Sequence, residues 1–330
     1  MNEFSLIQRY FAQRAGQLLS PQVALGIGDD CALLSPPPGQ QVAVSMDTLV
    51  AGRHFPEDTP PADIGYKALA VNLSDLAAMG ATPGWFTLSL TLPNTDDGWL
   101  QNFSNGLFDC AHQFDIPLVG GDTTQGPLSI TIQVGGWLPS TQALTRSGTQ
   151  AGDLICVSGE LGGAALGLRQ WQQSEFSVAA RQRLVRPIPR IMLGQALRGL
   201  ATSAIDISDG LLADLGHMIT ASTQQQAEPL QAKLDVELIP KDDLLTKPEH
   251  WPLVLAGGDD YELCFTVPQS CREQLVDVQS EAGVPISIIG EVLSLAPVHR
   301  QQAVDPVVCF QQGQPVTISR SGFEHFSNNN

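Results

Sequence analysis

Hydrophobic and polar positions along the chain follow two periods, one helical and one alternating. In residues 3–19 the apolar side chains Phe4, Leu6, Ile7, Tyr10, Phe11, Ala15, Leu18 and Leu19 recur at helical spacing and predict an amphipathic helix. Residues 67–83 are nearly all small, apolar and good helix formers, with Gly80 and Pro83 as stop signals. A helix this apolar packs on most of its sides. Asn72, Ser74 and Asp75 interrupt it, and Asn72 and Asp75, three apart, share one face. Alternation predicts strands over 42–50, 85–93, 116–124 and 128–138, with a helix over 97–112.

The second half opens on a strand, 154–158, followed by a glycine-rich helix start over 159–168, a place that suits an anion. A helix follows Arg186-Pro187-Ile188-Pro189-Arg190 and runs to Leu200. A short strand over 203–207 meets Gly210 and a further helix. Residues 222–231 and 241–251 read as polar loops. Val254–Val267 repeats a theme of glycine pair, acids and strand. A helix over 271–282 and strands near 286–292 and 306–318 complete the chain. Residues 139–152 are turn-rich, which sets an N-terminal domain over 1–138 and a C-terminal domain over 153–330. The predicted class is mixed α/β (α+β) with two domains.

Composition narrows the partners. Seventeen basic residues against 34 acidic give a net charge of −17, which disfavours nucleic acid and anionic membranes. An anionic substrate then needs metal ions to carry positive charge. The six cysteines have no metal-site spacing and read as reduced thiols of a cytoplasmic protein, Cys31 being expected as a packed one. No apolar run of membrane-spanning length or secretory leader is evident.

The acids are distributed in a pattern. Gly28-Asp29-Asp30, Gly121-Asp122, Asp209-Gly210 and Gly258-Asp259 put carboxylates beside glycine, and Asp47 and Asp75 lie within apolar elements. Ser45 and Asp47 alternate onto one strand face. Asp206, Ser208 and Asp209 crowd a strand end ahead of a helix. Together they describe oxygen ligands for a hard cation such as magnesium, without a His/Cys cage for zinc.

Gly-Ile-Gly-Asp-Asp-Cys-Ala (26–32), Ser45-x-Asp47 through His54-Phe55, the 65–83 block, Val-Gly-Gly-Asp-Thr-Thr (119–124), Leu-Thr-Arg-Ser-Gly (144–148), Asp-Ile-Ser-Asp-Gly-Leu (206–211) and Gly-Gly-Asp-Asp-Tyr-Glu-Leu (257–263) occur in that order. Over about residues 4–326 the chain resembles the bacterial thiamine-monophosphate kinases. These belong with aminoimidazole ribonucleotide synthetase, selenophosphate synthetase and a hydrogenase-maturation protein in one ATP-binding superfamily. The resemblance implies an N-terminal domain that dimerises through its sheet or a barrel, and an α+β C-terminal domain. It implies ATP-dependent conversion of thiamine monophosphate to thiamine diphosphate by direct in-line transfer, with no catalytic side chain. Asp30, Ser45, Met46 (through its backbone), Asp47, Asp75, Asp122, Asp206 and Asp209 match magnesium-binding positions, for several ions. Gly121, Asp122, Arg146 and Ser208 match ATP contacts. His54, Asp259 and Phe323 match substrate contacts. Asp259 stands where the family often has Glu, and Phe323 where Tyr or Trp is common. A need for potassium stays open. Two rivals remain: another superfamily chemistry using Cys31, and a non-catalytic, metal-stabilised dimer.

Overall fold

The computed structural model describes residues 3–18, 20–175, 177–245, 247–296 and 304–316. The chain divides into two compact units, residues 1–76 with 81–143, and residues 77–80 with 144–330.

In the first unit the N-terminal helix is built from α1 (Glu3–Ile7), a π-helical turn (Gln8–Ala12) and α2 (Gln13–Ala15), and it buries Leu6, Tyr10, Phe11 and Ala15. β1 (Val23–Leu25) and β2 (Leu33–Leu34) form a small antiparallel pair. Then come β3 (Gln40–Val50), α3 (Pro61–Ala78), β4 (Thr82–Leu92), α4 (Asp97–Gln113), β5 (Leu118–Gln125) and β6 (Ser129–Pro139). The four long strands form an open sheet in the order β3-β6-β4-β5, so no barrel closes within this chain's described residues. β4 and β5 are parallel, joined by the α4 crossover, and the other pairs are antiparallel. Asp96 caps α4 by accepting the Trp99 N–H at 2.7 Å.

The apolar 67–83 stretch is α3 as expected, though the helix begins earlier, at Pro61, and Pro83 already belongs to β4. Leu69, Ala70, Leu73, Leu76 and Ala77 are all essentially inaccessible. Burial of this kind stabilises by about 1.5–3 kcal/mol for each large side chain.

The second unit comprises β7 (Leu154–Ser158), α5 (Gly163–Gln172), α6 (Val178–Val185), α7 (Ile191–Ala196), β8 (Ser203–Asp206), α8 (Leu211–Thr223), β9 (Leu230–Asp235), α9 (Trp251–Ala256), β10 (Leu263–Val267), α10 (Leu275–Ala282), β11 (Ile286–Ser294), β12 (Val307–Gln311) and β13 (Gln314–Val316). Its sheet runs β13-β12-β9-β11-β7-β10-β8, with only β12 and β9 parallel among neighbours. Leu211, Leu215, Met218 and Ile219 of α8 join a core with Ile155, Val157, Ile205, Leu234 and Ile289 from the strands.

Three expectations need correction. The helix after Arg190 ends at Ala196, short of Leu200. Residues 222–231 are not all loop, because α8 continues through Thr223 and β9 starts at Leu230, whose apolar positions are buried. The expected 306–318 strand is a hairpin turning between Gln311 and Gln314, and its last two residues lie outside those described. Among the described residues no helix is long and apolar enough to cross a membrane.

Candidate active site

The expected site residues fall in both units. The first carries Asp30, Ser45, Met46, Asp47, His54, Asp75, Gly121 and Asp122; the second carries Arg146, Asp206, Ser208, Asp209 and Asp259. Phe323 lies outside the described residues.

In the first unit β3 and α3 bring three of them together. Ser45 donates its hydroxyl to Asp75 Oδ2 at 2.5 Å. Asn72 Oδ1 accepts the backbone N–H of Asp47 at 3.0 Å, while its amide nitrogen donates to the Ala68 carbonyl at 2.9 Å. Asn72 is therefore a core hydrogen-bonding residue, and it ties the Asp47 backbone to the helix that carries Asp75. Loss of hydration, added to by the negative charge of Asp75, pushes the Asp47 carboxyl up to about 6. Asp47 still reaches solvent, so the crowding is local to the pair. Met46 points to the opposite face of β3 and is exposed.

His54 lies in the turn after β3. Its Nδ1 accepts the Val50 N–H at 3.0 Å, which puts the proton of the neutral ring on Nε2. Its carbonyl accepts from Nζ of Lys67, a lysine only 2% exposed, at 3.3 Å. On β5, Gly121 and Asp122 pair with Leu88 and Ser89 of β4. A Cβ at Gly121, where φ is +154°, would meet the Leu88 carbonyl oxygen at 1.9 Å, so only glycine fits. Asp30 is exposed, and its N–H donates to Asp29 Oδ1 at 2.8 Å. Cys31 beside it is exposed, against expectation, because residues 26–32 are turns between β1 and β2 and provide no strand face to bury it. Cys156 and Cys264 are buried, and burial pushes the Cys156 thiol up to about 12.

In the second unit two motifs are laced together. Asp206 ends β8 opposite Leu263 of β10. The Asp259 N–H donates to the Ser208 carbonyl and the Tyr261 N–H to the Ile207 carbonyl, both at 2.9 Å. Asp259 and Tyr261 both hold positive φ, +68° and +51°, the kind of strain that clusters at functional sites. The Tyr261 hydroxyl donates to Asp259 Oδ1 at 3.0 Å, fixing the carboxylate of the expected substrate contact. Arg146 is exposed on the loop before β7.

The N–H groups at the glycine-rich start of α5 are met from within the chain. Asp260 accepts from the Gly162 N–H at 2.7 Å and the Ala164 N–H at 3.3 Å. Burial pushes the Asp260 carboxyl up to about 7, against the pull of those two donors. Asp214, in the first turn of α8, accepts the N–H groups of Ser208, Asp209 and Gly210 at 3.0 Å each. The sequence reading missed it. Its signal was an acid four residues beyond Gly210 in a helix start that is otherwise apolar.

The donors suit a hard cation: carboxylates, a hydroxyl and backbone oxygens. Among the described residues no three His, Cys, Asp or Glu side chains lie close enough to hold one ion.

Residues 28–138 match the family described as AIR synthase related protein, N-terminal domain, which defines the class of the first unit. The chain is 48% identical over 337 residues to the thiamine-monophosphate kinase of Escherichia coli (strain K12), covering 98% of each chain. It is 42% identical to the crystal structure of thiamine-monophosphate kinase from Stenotrophomonas maltophilia K279a, with a TM-score of 0.83, covering 96% of this chain and 98% of that one. It matches AaThiL complexed with AMPPCP and TMP at 27% identity and a TM-score of 0.73, covering 98% and 97%. The chain belongs to the thiamine-monophosphate kinase family.

Proposed function

We propose that this protein transfers the terminal phosphoryl group of ATP to thiamine monophosphate, giving thiamine diphosphate and ADP. The observation that carries the reading is the Asp47–Asp75 pair, braced by Ser45 and Asn72, in a chain of net charge −17. Such a chain handles two phosphorylated substrates by holding cations between its acids and theirs. Asp30, Ser45, Asp47, Asp75, Asp122, Asp206 and Asp209, with the Met46 backbone oxygen, are the residues that would hold magnesium, with substrate phosphates completing each ligand set. Bound there, magnesium supplies the positive charge that offsets repulsion between the two anions.

The chain's own groups then position and neutralise. Gly121 and Asp122 in the first unit, and Arg146 and Ser208 in the second, are the residues we assign to ATP, Arg146 adding positive charge. His54 is held by its Nδ1 bond with the ring proton on Nε2, ready to donate to the thiamine phosphate. Asp259, oriented by Tyr261, is the residue we assign to the thiamine ring system; Phe323 is assigned to it on the sequence match alone. The acceptor phosphate has a second pKa of about 6 and is largely ionised at neutral pH, so no general base is needed. Transfer is direct, without a phosphoenzyme: labelled ATP alone leaves the protein unlabelled.

The first unit also forms the dimer contact. β3 has β6 as its only neighbour among the described strands, and it exposes Val42, Val44 and Met46 at 44%, 55% and 60%. A row of apolar side chains on an edge strand favours pairing with a second copy. We place the protein in the cytoplasm and assign ATP and magnesium binding to both units. Incubating the pure protein with Mg-ATP and thiamine monophosphate, with unphosphorylated thiamine in parallel, tests the activity. Thiamine diphosphate forms only from the monophosphate; no product defeats the reading.

A further inference from the structure

Two loops of the second unit end on one helix, α8. At its first turn lies Asp214, only 3% exposed. A single oxygen, Oδ2, receives the three N–H groups of Ser208, Asp209 and Gly210, all of which precede the helix. At its last turn lies Ser222, 0% exposed. Its hydroxyl oxygen accepts the N–H groups of Gly148 and Thr149 at 3.2 Å each, and faces the Arg146 carbonyl at 3.5 Å. Just beyond the helix, the Gln225 amide donates to Ser147 Oγ at 2.8 Å and the Gln226 amide to the Thr149 carbonyl. Asp214 and Ser222 stand roughly two turns apart on a helix whose apolar face is locked in the core.

The two loops so held carry Ser208 with Asp209, and Arg146. A loop that presents charge to a ligand loses affinity if it must be ordered at the moment of binding. Backbone bonds to buried acceptors on a fixed helix remove that cost beforehand. Successive N–H groups drawn to Asp214 also set the direction in which the Asp209 side chain leaves the loop.

We propose that α8 is the positioning element for the ATP-phosphate side of the second unit, with Asp214 fixing the Ser208–Asp209 loop and Ser222 fixing the Arg146 loop. The inference rests on the reading that these loops hold magnesium and ATP. Asp214 and Ser222 act through the backbone and are positioning residues.

Three variants separate this role from a merely structural one. Asp214→Asn keeps an acceptor oxygen, Asp214→Ala removes it, and Ser222→Ala removes the hydroxyl. Turnover is measured against magnesium and against ATP at saturating thiamine monophosphate. Asp214→Ala raises the half-saturating magnesium concentration about tenfold or more, and Asp214→Asn returns it to within about threefold of the parent. Ser222→Ala raises the KM for ATP about fivefold and leaves half-saturating magnesium unchanged. Variants that lose only folded protein, with magnesium and ATP dependence unaltered, overturn the inference. Should Asp214→Ala not fold, hydrogen exchange on the parent without magnesium or ATP decides. Protected amides at 148–149 and 208–210 support preorganisation; exchange at free-peptide rates until ligands are added overturns it. A parent that makes no thiamine diphosphate defeats the functional reading instead, and the exchange measurement still judges α8.

Discussion

Asp75 illustrates how far a single residue can be read. In an apolar helix a lone carboxylate has to be met by donors or a cation, because leaving it bare costs several kcal/mol, roughly. The structure supplies a donor, the Ser45 hydroxyl, and places Asp75 close enough to Asp47 that its charge raises the proton affinity of the Asp47 carboxyl. Two acids held together gain most from a shared cation. Asp75→Asn should therefore leave thermal unfolding within a few degrees of the parent while raising half-saturating magnesium about tenfold or more. A magnesium titration of turnover checks it; unchanged dependence removes Asp75 from the site.

Asp260 makes the opposite case, an acid whose partners are internal. Burial raises its folded value to about 7 from an ordinary 3.8. The folded protein then keeps a proton that the unfolded chain has given up. The stability this group contributes is fully present below about 3.8 and is lost as pH rises through about 7. Asp260→Asn, which keeps an acceptor for the α5 N-terminus, should flatten the pH dependence of urea unfolding across that window. A parent and variant with parallel profiles would refute the assignment.

Among elements, an ion pair ties the residue before α7 to the residue before β10. Arg190, just before α7, forms a two-pronged contact with Glu262, its Nε meeting Oε2 at 2.7 Å. Ser158 of β7 donates to the same carboxylate at 2.5 Å. The Glu262 side chain is only 6% exposed. Removing the cation strands that charge. Arg190→Met should cost about 3–5 kcal/mol, read as a lower urea midpoint with an unchanged slope. Glu262 lies in the Gly-Gly-Asp-Asp-Tyr-Glu-Leu motif, so sequence alone invites a functional role for every acid in it. The structure divides them: Asp259 beside Tyr261, Asp260 under a helix, Glu262 in an ion pair.

For the whole molecule, the open sheet of the first unit bears on assembly. Its exposed edge strand β3 presents Val42, Val44 and Met46 away from α3. If the proposed dimer forms through β3, Val44→Glu should turn it into a monomer, measured by sedimentation at micromolar concentration. A parent that already sediments as a monomer, or a variant that stays dimeric, would count against the contact through β3.

Most of the elements, and the family, were legible in the sequence. Periodicity located α3, α4, α8 and the long strands because one-sided or complete burial leaves a repeating apolar signature. The excess of acids beside glycine pointed to hard-cation chemistry because carboxylates on tight turns have few other uses in such numbers. The motifs identified the family. What each acid meets came from packing in three dimensions. Asn72 became a brace for Asp47, Asp260 a helix cap, Cys31 an exposed thiol, and Asp214 and Ser222 the anchors of two loops. Partners such as Asn72 with Asp47, or Ser222 with Gly148, are 25 and 74 residues apart. No local pattern records a contact of that separation, because it is set by how sheets and helices pack rather than by the residues on either side.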